Sequence, residues 1–228
     1  MSFMEIEIPF DAALELDQFR EMDYYAVENY FLPIELMMEN AGLQLANLIV
    51  KSIKNPKDKI LIGIGNGNNG GGGLVAARRL AAWGYDVYLD KFTDINKELP
   101  MKQLERAISF GVHNNTITNP DIWVDAYLGF SQKLPLRENL LSRINKANTS
   151  DCKKISLDIP TGFLGNSNMP YFHAHQVMSL AASKKILYNL PNETELFIAD
   201  LGIPHQVYQK FGIQIPPFNN HNILKIKK

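Results

Sequence analysis

Apolar residues along this chain switch repeatedly between two spacings. Between residues 11 and 31 they recur every three or four positions, at Leu14, Leu16, Phe19, Met22, Ala26 and Tyr30, which predicts a helix. Pro33 opens a second helix, where a first-turn proline is tolerated. Its apolar face carries Leu36, Met37, Ala41, Leu45, Leu48 and Ile49 as far as about Ile53. The run 59–64 is too apolar for a half-exposed strand and predicts a buried one. A helix over 74–83 follows, stopped by Gly84, then a strand at 86–90 and a helix over 98–110. A third main strand covers 122–128, a helix 135–147, and a fourth strand 154–157. Later strands are expected at 176–181 and 194–199, with a short helix over 204–211. The alternating basic tail 223–228 reads as a last edge strand or a frayed end.

Strands alternating with helices predict an α/β fold, a Rossmann-like three-layer αβα sandwich with a mostly parallel central sheet. There is no internal repeat and no composition shift that would divide the chain, so one domain over 1–228 is expected. The 228 residues include 46% hydrophobic residues, enough for a real core. A formal net charge of -1 argues against a nucleic-acid binder driven by bulk charge. The single Cys152 excludes an internal disulfide and a cysteine-cluster metal site. No apolar run reaches transmembrane length, and the acidic N-terminus lacks a signal-peptide pattern. A cytoplasmic protein is the expectation.

The chemistry is expected after the first strand. Residues 65–73 read Gly-Asn-Gly-Asn-Asn-Gly-Gly-Gly-Gly, a loop that brings backbone N–H groups close to a ligand and offers asparagine amide oxygens to a cation. Gly65, Gly67 and Gly70 form a literal G-x-G-x-x-G, with Asp90 twenty residues beyond, the layout of a dinucleotide-binding unit. The glycine run continues to Gly73, however, so the helix is expected to start late. A ligand-free turn is the blander reading, at the entropic cost of six glycines. Asn69 follows the first strand, Asp125 lies in the third and Asp158 ends the fourth; in a parallel sheet these strand ends share one edge. Each aspartate alone is as readily a turn cap as a functional group. The oxygen set Asn69, Asp125 and Thr161 suits a hard cation. His173 and His175 read as an exposed strand edge without a third metal ligand. Ser131 lacks a nucleophile setting, and Cys152 has only two neighbouring lysines to activate it.

These residues resemble the YjeF N-terminal domain family, whose enzymes are NAD(P)H-hydrate epimerases. The match covers most of the chain: Met38-Glu-Asn-Ala-Gly42 with Met22-Asp23 upstream, the glycine stretch through Arg79, Val124-Asp-Ala-Tyr-Leu-Gly129, Asp158-Ile-Pro-Thr-Gly162, Lys184, and Ala199-Asp-Leu-Gly-Ile-Pro204. The resemblance implies potassium (K+) on Asn69, Asp125 and Thr161. It implies substrate contacts at Asn68, Asn69, Gly70, Gly71 and Gly72, at Gly129, Phe130, Ser131, Gln132, Lys133, Leu134 and Pro135, and at Asp158. The implied substrate is hydrated NADH or NADPH, with a separate NAD(P)H-hydrate dehydratase as metabolic partner and a homodimer as the assembly.

Epimerisation needs a group that gives and takes a proton near the ring. Asp158 is the first candidate and Lys184 the second. Two positions depart from the family pattern: Gly72 stands where the family has an aspartate, and Phe130-Ser131 replaces Thr- or Gly-like residues. The alternative reading is a catalytically impaired nucleotide-binding or dimerisation scaffold of the same fold. An NAD-dependent oxidoreductase, with Asp90 on the ribose, is the third reading.

Overall fold

In the computed structural model, alternate residues of the central strands feed two separate cores. Residues 3–165, 169–213, 218 and 221–227 are described; Met1, Ser2 and Lys228, at the ends of the two terminal segments read above, lie outside them. On β2 (Lys59–Ile64), Ile60, Ile62 and Ile64 join one core, while Leu61 joins the other. The same alternation holds on β4 (Ile122–Ala126), where Val124 and Ala126 face one way and Trp123 the other. This is the period-two geometry of a strand covered on both faces.

The remaining strands are β1 (Met4–Glu7), β3 (Asp86–Lys91), β5 (Lys153–Leu157), β6 (Gln176–Leu180), β7 (Glu195–Ala199) and β8 (Ile223–Lys227). They form one sheet in the order β1-β8-β7-β6-β5-β4-β2-β3. All neighbours pair in parallel except β7 and β8. Helices α2 (Ile34–Ser52), α3 (Asn68–Ala82) and α4 (Glu98–Ser109) cover one face. Helix α5 (Glu138–Asn148) covers the other through Leu140, Ile144 and Ala147. Helices α1 (Leu16–Tyr30) and α6 (His205–Lys210) pack with the start of α2 around Phe19, Met22, Met37 and Val207. The expected three-layer α/β architecture is present.

Four boundaries differ from the sequence reading by two residues or more. Helix α3 begins at Asn68, not residue 74, so Gly70 to Gly73 are helical and buried. Packing outweighs their poor helix propensity. An added Cβ would lie 2.6 Å from Met38 Sδ at Gly71 and 2.7 Å from Ala126 Cβ at Gly73, and at Gly70 it would overlap the Gly65 carbonyl. These glycines let the helix lie close against α2 and the sheet. Strand β4 ends at Ala126, because the Tyr127 and Leu128 N–H groups go to the side chains of Asp125 and Thr161 instead of a neighbouring strand. The first helix starts at Leu16, behind a 3-10 turn at Phe10–Ala12, and α5 starts at Glu138 rather than 135. The basic tail forms β8, one position in from the edge; the outermost strand is the acidic β1. Lys225 there faces Glu5 at 3.6 Å and Glu195 at 2.8 Å.

From β2 the chain crosses to β3 on one side and then to β4 on the other. A parallel sheet opens a crevice beyond its strand ends at such a reversal.

Candidate functional site

The crevice is a cavity of about 320 Å³. Its sheet-side wall carries Asn69, Gly129 and Asp158, and its outer wall carries Phe19 and Asp23 from α1. The size suits one end of a dinucleotide rather than the whole molecule. Asn68 and Asn69 are the first two residues of α3, so the N-terminal end of that helix lines the cavity.

Asp158 leaves the end of β5 with φ at +70° and is buried. Aspartate tolerates this left-handed conformation better than most residues, and such outliers concentrate at functional positions. Its Oδ2 accepts the Phe130 N–H at 2.8 Å. Its Oδ1 lies 2.8 Å from Lys184 Nζ, but off hydrogen-bond alignment. The aligned bonds of Lys184 go to Ser179 Oγ at 3.1 Å and the Leu180 carbonyl at 3.2 Å. Lys184 is itself fully buried, with the Phe19 ring 3.6 Å from its ammonium. Asp158 thus has a neutralising cation beside it and an oxygen direction left uncommitted.

Asp125 is sealed below the cavity. Its Oδ1 accepts Thr161 Oγ1 at 2.6 Å and the Tyr127 N–H at 3.3 Å; its Oδ2 accepts Ser156 Oγ and the Thr161 N–H, both at 2.8 Å. Burial raises its carboxyl to about 6 against the pull of these four bonds. Thr161 Oγ1 also accepts the Leu128 N–H, and the Leu128 carbonyl accepts Asn69 Nδ2 at 2.7 Å. Asn69, Asp125 and Thr161 therefore meet around Leu128. Asn69 Oδ1 is buried with no hydrogen-bond partner among the described residues, an amide oxygen of the kind a hard cation takes. Asp125 brings the negative charge, with its lone pairs already engaged. Among the described residues no cluster of three or more His, Cys, Asp or Glu suits a metal.

Of the segment after β4, Gly129, Phe130, Ser131 and Gln132 line the cavity. Gly129 is wedged: a Cβ there would lie 3.1 Å from Asp158 Oδ2 and 3.2 Å from Asn69 Cγ. Gln132 clamps the segment by donating to the Pro160 and Phe163 carbonyls and accepting the Gly162 N–H. Lys133, Leu134 and Pro135 lie beyond the cavity wall. Gly72 lines the cavity, 3.1 Å from Leu157 Cδ2 at its virtual Cβ, while Gly70 and Gly71 serve packing.

Other candidates are engaged elsewhere. Asp90 accepts the Tyr127 hydroxyl and Arg143 Nε and is not among the residues that line the cavity. His175 precedes β6 and accepts the Lys154 N–H through Nδ1, so it forms no metal pair with His173. Cys152 contacts Ser150 Oγ at 3.0 Å. The sequence reading named Asp23 only as a motif position and gave it no role; a carboxylate among the buried Phe19, Met22 and Ala26 was the further signal.

The motif Met38-Glu-Asn-Ala-Gly42 also becomes intelligible. Glu39 joins α2 to α3 and α4 through Arg78, Arg79 and Gln103, and Asn40 holds the Leu201 carbonyl. Burial pushes the Glu39 carboxyl up, but Arg78, Gln103 and Arg79 outweigh it and hold it below its usual range. Gly42 lies against Val75 and the Gly72 carbonyl.

The model of the family described as "YjeF-related protein N-terminus" matches residues 34–186. The chain belongs to the YjeF-related N-terminal family. The match spans every segment that builds the cavity's sheet-side wall. Relatives named NAD(P)H-hydrate epimerase include one from Anopheles darlingi, 32% identical over 89% of this chain and 93% of its own. One from Rhodopirellula baltica is 31% identical over 85% and 86%, and one from Dehalogenimonas lykanthroporepellens 33% identical over 86% and 84%. The crystal structure of yeast ynu0 shares the fold, with a TM-score of 0.84 over 93% of this chain and 99% of that one, at 22% identity.

Proposed function

We propose that this YjeF-related chain interconverts the two epimers of hydrated NADH or NADPH, as its relatives' names describe. The observation that carries the reading is Asp158: a buried carboxylate in a cavity, beside a buried lysine, at the switch point of a parallel sheet. The hydroxyl-bearing carbon of the hydrated ring neighbours the ring nitrogen. Protonation of the hydroxyl lets the nitrogen lone pair expel it as water, and water returns to the other face while giving up a proton. Asp158 is the group proposed to move protons at that hydroxyl, with Lys184 holding it in place and balancing its charge. The cavity takes the hydrated nicotinamide end, and the N–H groups at the start of α3 suit the ligand's phosphates.

Potassium fits the same reading, held by Asn69 Oδ1 and Thr161 Oγ1 next to the Asp125 charge. When bound, the ion supplies a fixed positive charge that ties the three loops together. The same reading takes a separate dehydratase, acting on one epimer, as metabolic partner, and includes a homodimer in the cytoplasm. No helix among the described residues is long and apolar enough to cross a membrane.

The test starts from the mixed hydrates after one epimer has been consumed. The protein is expected to speed the return to epimer equilibrium; a rate equal to buffer alone would sink the proposal. One observation favours the second reading, a catalytically impaired scaffold. Gly72 brings no carboxylate to the cavity where the resembling enzymes carry one. An inactive wild type that gains neither turnover nor ligand affinity from Gly72→Asp would support the scaffold.

A further inference from the structure

We propose that Asp23 is a second proton-transfer group of this cavity, reaching the hydrated ring from the α1 wall while Asp158 reaches it from the sheet edge. The inference rests on the epimerase reading and extends it. Asp23 lines the cavity, and its Oδ1 is buried without a hydrogen-bond partner among the described residues. A buried, unsatisfied carboxyl oxygen costs stability. Phe19, one helical turn earlier on the same face, lays its ring on the Lys184 ammonium. Helix α1 therefore brings Asp23 towards the cation that Asp158 pairs with.

The surroundings suit a proton carrier. Burial raises the Asp23 carboxyl to about 7, with Lys184 pulling it down and Asp158 pushing it up. Near neutrality it is protonated in part of the molecules, the condition in which one group serves as both acid and base. Burial, followed by the charges of Asp200 and Asp23, holds the Tyr208 hydroxyl on α6 well above its usual range. Arg20 and Lys97 are the other charged groups on the cavity wall. Arg20 is held by Asp17 and stands over the Phe130 ring.

The reaction itself asks for two groups. One carboxylic acid gives its proton to the ring hydroxyl; the C–O bond breaks, the nitrogen lone pair forms C=N⁺, and water leaves. A second water adds to the opposite face of that carbon and passes a proton to a carboxylate there. The C=N⁺ electron pair returns to nitrogen, and the two carboxyls regain their starting protonation by proton exchange with solvent, so protons and electrons balance with water as the only co-reactant. A single carboxyl fixed on one wall cannot serve both faces, whereas Asp158 and Asp23 come from different layers of the fold. Their roles exchange when the reaction runs backwards.

The test compares the full-length wild type with Asp23→Asn, which keeps the shape and loses the titration, and with Asp23→Glu and Asp23→Ser. Epimerisation of NADH hydrate is followed from pH 5.5 to 9 in potassium buffer. Asp23→Asn is expected to lower kcat about 10²-fold or more, to leave KM within about threefold, and to remove the pH limb near neutrality. Asp23→Glu is expected to recover part of the rate with a displaced limb. Asp23→Ser keeps the comparison open if the asparagine variant does not fold. An active wild type whose kcat and pH profile survive in Asp23→Asn or Asp23→Ser overturns the Asp23 proposal alone. A wild type that does not accelerate epimerisation overturns the epimerase reading, and the Asp23 role with it.

Discussion

Replacing Lys184 with methionine tests how the site is assembled. Methionine keeps most of the stem's volume and flexibility, so the packing against Phe19 largely survives. The ammonium does not. Its loss leaves Asp158 Oδ1 without the cation 2.8 Å away and removes the donor of Ser179 Oγ and the Leu180 carbonyl. The two side chains are 0% and 2% exposed, so water screens neither of them. Breaking one side of such a buried pair costs roughly 3–5 kcal/mol, because the remaining charge is stranded. For a chain of this size each kcal/mol lowers Tm by about 2–4 °C, which gives a fall of roughly 6–20 °C. The double variant Lys184→Met with Asp158→Asn removes the stranded charge and is expected to recover about half the loss or more. Urea and thermal unfolding at pH 7 measure both. A Lys184→Met protein within about 1 kcal/mol of wild type, or a double variant no more stable than the single one, would refute the buried-pair account.

Three further outcomes follow from particular contacts. Gly70→Ala is expected to destabilise by about 3 kcal/mol or more, because its Cβ meets backbone that cannot move; Gly72→Ala meets only the end of the Leu157 side chain and should stay within about 1 kcal/mol by urea denaturation. Because the folded Asp23 pKa is raised from 3.8 to about 7, the native state holds more protons than the unfolded chain in that window. Its contribution to stability is therefore lost as pH rises from about 4 to 7. Asp23→Asn should then be more stable than wild type at pH 8, by a few kcal/mol at most, with the advantage gone by pH 4; equal Tm values at pH 8 would contradict it. Potassium at about 100 times its Kd should stabilise the protein by about 2.7 kcal/mol in thermal unfolding, and Asn69→Ala should abolish that shift, whereas an unchanged shift in Asn69→Ala would remove Asn69 from the ion site.

The order of strands and helices was legible because buried parallel strands and amphipathic helices leave different apolar periods. Asn69, Asp125 and Asp158 were legible as one group because parallel strands put their C-terminal ends on one sheet edge. The start of α3 was not. Four consecutive glycines predict a loop by propensity, and only partners distant in sequence, Met38 and Ala126, reveal that they exist for close packing. The role of Asp90 was hidden for the same reason, since Tyr127 and Arg143 approach it from other elements. Strand β1 is too short for periodicity to detect. Its acidic Glu5 and Glu7 against the basic Lys225 and Lys227 were a usable signal. Asp23 was visible as a motif position and as a charge on an apolar helix face, but its role came into view only with Lys184, which the fold carries to it from the far side of the sequence.

Gly72 and Asp158 pull the functional reading in opposite directions. The first removes a carboxylate that the resembling enzymes carry, while the second keeps a buried carboxylate beside a buried lysine in the cavity. The central claim is that turnover survives the first because the second is kept. Its most direct measurement is the approach to epimer equilibrium from a single epimer of NADH hydrate, followed by chromatography with wild type and with Asp158→Asn. The account predicts a rate well above buffer for wild type and a loss of about 10²-fold or more in Asp158→Asn. A wild type no faster than buffer, or an Asp158→Asn protein as fast as wild type, would contradict it.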